Sequence, residues 1–311
     1  MLLIDAEQVE TGYPTNDGKN SHVNFHYLKN KSCNLIVQAK DNYSKLMSRK
    51  ISSLIYVLLC ATCSFSQIKP TLSVSGCGFE GCVSIFDYNN NKWLVNEEVE
   101  SFKQMVPAST FKIIHLLIAL ETGTIADEHT VIKWPGSIDT ALYGYRPSTY
   151  RDMTVKEAFE VSAGWVFMEL AKKIGREEYV EYLEACNYGN LKVSNEPDFW
   201  NFGPLAISTR NQVEFLVKIY EGNVPFSKRN LEILKRVMVM EKNYDYTLRA
   251  KTGWGWKDGK DVGWWVGYVE KHNHVYFFAT RLAKDRNDKD PSFSQCRIAV
   301  TLEALRNIGA F

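Results

Sequence analysis

The stretch Pro107-Ala-Ser-Thr-Phe-Lys112 opens a helical pattern that runs over residues 109–122 and is apolar nearly all round. Such a helix is normally buried in a protein core. Ser109 and Lys112 share one helix face, with Cβ atoms about 5–6 Å apart, so the amine can reach the hydroxyl. The helix N-terminus would add backbone N–H groups for a developing oxyanion. A Ser–Lys pair is one form of activated nucleophile, although the same spacing in Ser66-Gln-Ile-Lys69 shows that it is weak evidence alone.

Turn and periodicity signals on either side of this helix predict the architecture. Residues 83–88 and 92–95 flank the turn-forming Asn89-Asn-Asn91 and indicate a hairpin. Helices and strands are then predicted by period: helices over 154–174 (interrupted at Ser162-Ala-Gly164), 176–185, 209–220, 227–240 and 294–307, and strands over 247–252, 261–269 and 275–280. This order predicts an α+β fold, with a central antiparallel sheet from both chain ends flanked by helices, plus a helical lobe.

The tripeptide Lys251-Thr-Gly253 ends a predicted strand and is the second chemical motif. A strand edge with an unhindered glycine can hold an acyl substrate by main-chain pairing, while Lys251 and Thr252 meet a carboxylate. An ordinary strand end would look the same. Ser-x-x-Lys followed by Lys-Thr-Gly is, however, a signature of penicillin-binding proteins and serine β-lactamases.

Composition excludes several classes of protein. The 311 residues carry a formal net charge of +1, with 45% apolar and 23% charged residues, which excludes a disordered, collagen-like or polytopic membrane chain. The near-neutral charge gives no reason to expect nucleic acid or an anionic membrane as partner. The seven cysteines do not form two C-x-x-C pairs, and His272 and His274 lack a third ligand, so no metal site is predicted.

The front of the chain has the pattern of an export signal. Met47-Ser-Arg-Lys50 precedes a largely apolar, uncharged run over residues 51–65, which is shorter than the about 20 residues of a membrane span. Ser64-Phe-Ser66 then fits a small-x-small cleavage site before Gln67. We therefore predict a signal peptide over 47–66, with residues 1–46 a non-native or disordered leader and 67–311 the working domain. A buried core segment, or lipid attachment at Cys60 or Cys63, is a weaker alternative.

Export leaves Cys77, Cys82, Cys186 and Cys296 in the domain. An oxidising compartment permits a disulfide, but pairing cannot be deduced from sequence. Free buried thiols are equally compatible with the pattern.

Residues 67–311 resemble the class D (oxacillinase-type) serine β-lactamases over essentially their whole length. The resemblance rests on the following motifs: Pro107-Ala-Ser-Thr-Phe-Lys112, Leu117-Ile-Ala-Leu-Glu-Thr-Gly123, Tyr188-Gly-Asn190, Phe199-Trp200, Gly203-Pro-Leu205, Ile207-Ser208, Lys251-Thr-Gly253 and Gly263-Trp-Trp-Val-Gly267. It implies a penicillin-binding transpeptidase-like fold, location in the periplasm, a β-lactam as small-molecule substrate, and a monomer or homodimer.

The resemblance also implies residue roles. Ser109 would attack the lactam carbonyl, and Lys112, carboxylated by CO2 or bicarbonate, would be the general base. The indole of Trp200 would support the carbamate, and Ser162 would relay a proton to the leaving nitrogen. The backbone N–H groups of Ser109 and Trp254 would form the oxyanion hole.

The other implied roles concern the substrate carboxylate. Thr252 and Arg297 would bind it, Gly253 would lie beside the substrate, and Lys251 would help to set the local field. No bound cofactor is implied beyond CO2 or bicarbonate.

The physics of the lysine agrees with this mechanism. A free lysine has a pKa of about 10.4, and burial lowers that pKa so that the neutral amine can react with CO2. The chain departs from the family at Gly164, where the family has a valine that shields the modified lysine from water. The glycine is expected to leave a gap there, unless Trp165 or another side chain fills it. A DD-peptidase and a β-lactam-sensing receptor domain share the Ser–Lys chemistry. The receptor needs several membrane spans, whereas this chain has one short apolar run.

Overall fold

The structure is a computed structural model that describes Leu72, Val74 and residues 75–311. The predicted leader (1–46) and signal segment (47–66) lie outside the described residues. Within the described part of the chain, no helix combines the length and the apolarity that crossing a membrane requires.

A six-stranded antiparallel sheet with strand order β2-β1-β8-β7-β6-β5 forms the centre of the domain. The described chain forms these strands: β1 Glu80–Asp87, β2 Lys92–Val95, β3 Val131–Ile132, β4 Met153–Thr154, β5 Val239–Lys242, β6 Tyr246–Lys257, β7 Lys260–Lys271 and β8 His274–Asp285. β3 and β4 pair separately. Strands from both ends of the described domain meet at the β1–β8 ladder, so the predicted sheet is confirmed.

Helices between β2 and β5 form a lobe, and a last helix after β8 covers the other face of the sheet. The described chain forms these α-helices: α1 Glu98–Ser101, α2 Lys112–Glu121, α3 Thr140–Tyr143, α4 Val155–Glu160, α5 Gly164–Ile174, α6 Arg176–Cys186, α7 Thr209–Glu221, α8 Lys228–Val237 and α9 Phe293–Asn307. Alternate β7 residues enter two cores: Trp264 faces the core that includes α7, and Trp265 the core that includes α9. The sheet is therefore buried on both sides.

The long strands β6, β7 and β8 extend beyond the predicted ranges because their turns are tighter than predicted. Asp258 and Gly259 both have positive φ (52° and 76°), as the two central residues of a type I′ turn require. At the other end the ladder continues to the pair Lys271 and His274, so the predicted five-residue turn contracts to two residues.

One predicted helix is too long. The helix expected over 227–240 ends at Val237, and Val239–Lys242 pairs with β6 as an edge strand instead. The backbone N–H of Ala250 donates to the carbonyl of Met238 at 2.9 Å, which turns the chain into the sheet. Tertiary pairing here overrides the local helical period.

The sequence allowed the four cysteines of the domain to be either disulfide-bonded or free, and the structure contains two of each kind. Cys77 and Cys296 form a disulfide, with Cα atoms 5.9 Å apart, that links the short 3-10 helix Ser75–Cys77 to α9. Cys82 and Cys186 are free and buried.

Candidate active site

Ser109 and Lys112 lie where the chain enters the central helix. A 3-10 turn, Ala108–Phe111, precedes α2, and Ala108 has a positive φ of 50° immediately before the serine. The Nζ of Lys112 donates a hydrogen bond to the Oγ of Ser109 at 2.9 Å. The pairing predicted from the spacing is therefore present.

Lys112 is held in a low-dielectric environment. Its side chain is 1% exposed, and its Nζ lies 5.0 Å from the ring centroid of Phe167. Burial, and after it the charges of Lys251 and Arg146, hold the pKa of Lys112 well below its ordinary value. A lysine in this setting favours the neutral amine, which can accept a proton or react as a nucleophile.

Ser162 and Lys251 form a second pair across the cleft. The Nζ of Lys251 donates to the Oγ of Ser162 at 3.0 Å and to the carbonyl of Thr252 at 2.9 Å. Ser162 has a left-handed φ of 59°, which is uncommon for a residue other than glycine and is frequent at functional positions. Burial, followed by the charges of Arg297 and Arg146, lowers the pKa of Lys251 to about 7.

Trp200 packs against Phe111, the residue that precedes Lys112. It is fully buried, and its ring stacks on Phe111 with centroids 5.2 Å apart. Its Nε1 has no hydrogen-bond partner. Since buried indole N–H groups are normally satisfied, this donor marks a position for an absent acceptor.

The motif Tyr188-Gly-Asn190 holds the segment that carries Trp200. Asn190 accepts from the N–H of Ala206 at 3.1 Å and donates to the carbonyl of Pro204 at 2.9 Å. Gly189 has a φ of +63°, and a Cβ there would lie 2.5 Å from the carbonyl oxygen of Ala206. The motif therefore fixes the backbone of residues 204–206, beside the segment that carries Trp200.

Gly253 allows β6 to approach the nucleophile closely. A Cβ at this position would lie 3.2 Å from the carbonyl oxygen of Pro107 and 3.0 Å from Cγ2 of Thr110. Gly253 is buried, whereas Thr252 on the same strand is half-buried. The glycine thus brings the strand edge against the 3-10 turn.

Arg297, on α9, lies close to the indole ring of Trp254, on β6. The guanidinium is 5.7 Å from the indole ring, and the arginine is only 7% exposed. Its Nε and Nη1 lack hydrogen-bond partners, and its Nη2 reaches only the Oγ of Ser294, at 3.5 Å. Burial lowers the pKa of Arg297 to about 10, so the group remains a cation without a carboxylate partner in the described structure.

The cleft brings together Ser109, Lys112, Ser162 and Trp254, four of the predicted site residues. The other five lie outside its lining: Trp200, Lys251, Thr252, Gly253 and Arg297. Residues that the sequence did not single out also line the cleft, including Tyr143 and Arg146. Tyr143 ends the four-residue helix α3 and Arg146 follows that helix, in a stretch without periodicity or a motif, so no sequence signal marked them.

Gly164 leaves an open space in the cleft wall. Apart from its chain neighbours and its own helix backbone, a Cβ at Gly164 would meet no atom within 4 Å. Trp165 is buried, and its Nε1 donates to the carbonyl of Thr149 at 2.7 Å while its ring meets Trp134 edge-on. The indole is thus held between Thr149 and Trp134.

The histidines serve packing and surface contacts. His115 is fully buried, and its Nε2 lies 2.7 Å from the hydroxyl of Tyr179, as expected for a core histidine. His274 contacts Asp87 at 2.6 Å. Among the described residues, no group of three His, Cys, Asp or Glu side chains is placed to hold a metal ion.

The chain is similar to known proteins in both sequence and fold. Residues 81–299 match the penicillin binding protein transpeptidase domain family. The chain is 40% identical over 200 residues to β-lactamase OXA-10 of Pseudomonas aeruginosa, covering 63% of this chain and 73% of that protein. It is 36% identical over 229 residues to β-lactamase OXA-48 of Klebsiella pneumoniae, covering 73% and 83%.

Solved structures agree with the sequence relatives. The class D β-lactamase from Sebaldella termitidis has a TM-score of 0.71 and 37% identity, and the similarity covers 75% of this chain and 93% of that one. The class D β-lactamase YbXI from Nostoc has a TM-score of 0.69 and 36% identity, covering 75% and 95%. The α+β architecture with its central antiparallel sheet is therefore shared with these proteins.

Proposed function

Since the chain belongs to the class D serine β-lactamases, we propose that it hydrolyses the β-lactam amide of penicillin-type antibiotics through an acyl-serine formed on Ser109. The observation that carries this proposal is the 2.9 Å hydrogen bond between Lys112 and Ser109 inside a buried site. Burial holds the pKa of Lys112 well below its ordinary value, and this favours the neutral amine that a general base requires.

Acylation requires the Ser109 proton to leave as the Oγ attacks the lactam carbonyl. The side chain of Lys112 accepts that proton. The backbone N–H groups of Ser109 and Trp254 are the proposed donors to the oxyanion, because Gly253 brings the strand edge against the 3-10 turn. As the C–N bond breaks, Ser162 passes a proton to the leaving nitrogen, and Lys251 supports that transfer through its 3.0 Å hydrogen bond.

Carboxylation of Lys112 fits the residues around it. The neutral amine can react with CO2, and the unpartnered Nε1 of Trp200 offers a hydrogen-bond donor for the product. When carboxylated, the lysine supplies an anionic oxygen base for both acylation and deacylation. Besides substrate and the water that hydrolyses the acyl-serine, the proposal requires only CO2 or bicarbonate.

The open space at Gly164 leads to a prediction about bicarbonate. Gly164 and Lys112 line the same cleft, and position 164 lacks a shielding side chain, so activity is expected to fall several-fold in CO2-depleted buffer and to return when bicarbonate is added. Gly164→Val should reduce this dependence by filling the space. Steady-state hydrolysis of a chromogenic cephalosporin measures activity, and ¹³C NMR with labelled bicarbonate counts carboxylated lysine directly.

The matched control is Gly76→Val, because a Cβ there also meets open space and Gly76 does not line the cleft. It should leave the bicarbonate response unchanged. A wild-type rate that is independent of bicarbonate, together with no labelled carbamate, would rule out this role for Lys112.

Arg297 and Thr252 are the proposed binders of the substrate carboxylate. Arg297 presents a buried cation with two unpartnered N–H-bearing atoms, and a buried charge of this kind is costly unless an anion pairs with it. The residues of this site lie within one chain, so either a monomer or a homodimer can carry the activity.

We also propose that the domain is exported to the periplasm after cleavage before Gln67. The disulfide between Cys77 and Cys296 supports export, because such bonds persist in oxidising compartments. Intact-mass measurement of the exported protein is expected to give residues 67–311 less two hydrogens. A mature peptide from residues 1–46 would contradict the proposed boundary.

A further inference from the structure

The guanidinium of Arg146 contacts the backbone on both sides of Ser162, the serine that is paired with Lys251. Arg146 follows α3 in the segment that precedes the 3-10 helix Pro147–Thr149, and it lines the cleft. Its Nη2 donates to the carbonyl of Val161 at 2.7 Å, and its Nη1 donates to the carbonyl of Ser162 at 3.2 Å. One planar guanidinium therefore bridges two successive peptide units.

Those two carbonyls need such a donor. The helix α4 ends at Glu160 with Val161 as its C-cap, and carbonyls at a helix end lack partners within the helix. Ser162 then turns into the left-handed region, at φ 59°, which persists in a non-glycine residue only where neighbouring contacts over-determine it. The guanidinium supplies contacts on each side of this turn.

The segment that carries Arg146 is held without its guanidinium. The backbone N–H of Arg146 donates to the hydroxyl of Tyr150 at 2.8 Å, and its carbonyl accepts from the Oγ1 of Thr149 at 2.8 Å. The hydroxyl of Tyr150 also donates to the carbonyl of Gly144 at 3.1 Å. Shortening the side chain should therefore leave this segment folded.

The charge of Arg146 is also left free to act on the site. In the described structure it has no carboxylate within ion-pairing distance, unlike the nearby Arg151, which pairs with Glu157. Its positive charge is one cause of the lowered pKa of Lys112 and of Lys251, in addition to the charge of Arg297 on Lys251. Geometry and charge are thus two separable properties of one side chain.

We propose that Arg146 is a positioning residue that holds Ser162 in its left-handed conformation and so keeps the Ser162 hydroxyl against Lys251. This inference rests on the proposed role of Ser162 in proton transfer. The fork of the guanidinium, rather than its charge, is what the role requires, because two carbonyls are engaged at once.

Arg146→Lys and Arg146→Gln separate the two properties. Both lose the bidentate fork and are expected to lower kcat for a penicillin about tenfold, with little change in KM. Only Arg146→Gln removes the charge, so the pKa of Lys112 and of Lys251 should rise and the acid limb of the rate profile should move to higher pH.

Arg151→Lys, the control, should leave kcat and the pH–rate profile unchanged. Full kcat in Arg146→Lys would overturn the proposal.

A double-mutant cycle with Ser162→Ala tests whether Arg146 acts through Ser162. If it does, Arg146→Lys should cost little further activity once Ser162 is alanine. Equal losses in both backgrounds would overturn this inference alone, leaving the proposed function intact. A Ser162→Ala variant with wild-type kcat would instead remove the proton-relay role of Ser162, and this inference with it.

Discussion

Ser109→Ala is expected to lower kcat/KM for benzylpenicillin by about 10⁶-fold, to near the background rate, because no other nucleophile replaces the lost Oγ. Lys112 donates to that oxygen at 2.9 Å, so the substitution also removes the base's partner. Steady-state hydrolysis gives the rate, and mass spectrometry should detect no acyl adduct. Ser137→Ala, at an exposed serine, is the matched control and should retain wild-type turnover.

The same assay separates the two alternatives that share this chemistry. A DD-peptidase or a β-lactam-sensing domain would give a burst equal to the enzyme concentration and then stall. The wild-type protein is instead expected to hydrolyse many equivalents of substrate. A stoichiometric burst without turnover would contradict the assignment as a β-lactamase, even if Ser109→Ala removed the burst.

Lys112→Ala is expected to lower kcat by about 10²- to 10⁴-fold, the range for loss of a general base. Two steps depend on this side chain: removal of the Ser109 proton and activation of water for deacylation. Any acyl-enzyme that does form should therefore persist, and mass spectrometry after incubation with penicillin should detect it. Lys173→Ala, at an exposed lysine on α5, should behave as wild type.

A different pattern would count against Lys112 as the base. Deacylation at the wild-type rate in Lys112→Ala would mean that another group activates water. The melting temperature provides the structural control, since removing a buried lysine also leaves a cavity behind Ser109. A folded variant with slow chemistry supports the proposed role.

Local sequence patterns were sufficient to predict those parts of the site that depend on the spacing of residues along the chain. The three-residue separation of Ser109 and Lys112 predicted their contact, and Lys251 lies on a strand as predicted, although in the middle of β6 and not at its end. The fold class followed from strand and helix order. These features depend on periodicity and chain order, which a single sequence contains.

Features that depend on tertiary contacts could not be predicted in this way. The pairing of Cys77 with Cys296 requires the first 3-10 helix to lie beside α9. The edge strand β5 forms because β6 offers an unpaired edge, against a local helical pattern. Arg146 contacts a turn 15 and 16 residues further along the chain, and no motif surrounds it.

On the proposed export route, the bond between Cys77 and Cys296 implies an order of events during biogenesis. The two cysteines are 219 positions apart, and the second lies in the last helix. In a chain that crosses a membrane with its N-terminus first, Cys77 emerges early and stays an unpaired thiol until nearly the whole domain has followed. Oxidative closure is therefore among the last steps of maturation, and a thiol-trapping reagent applied during translocation would capture open chains that are stalled before that step.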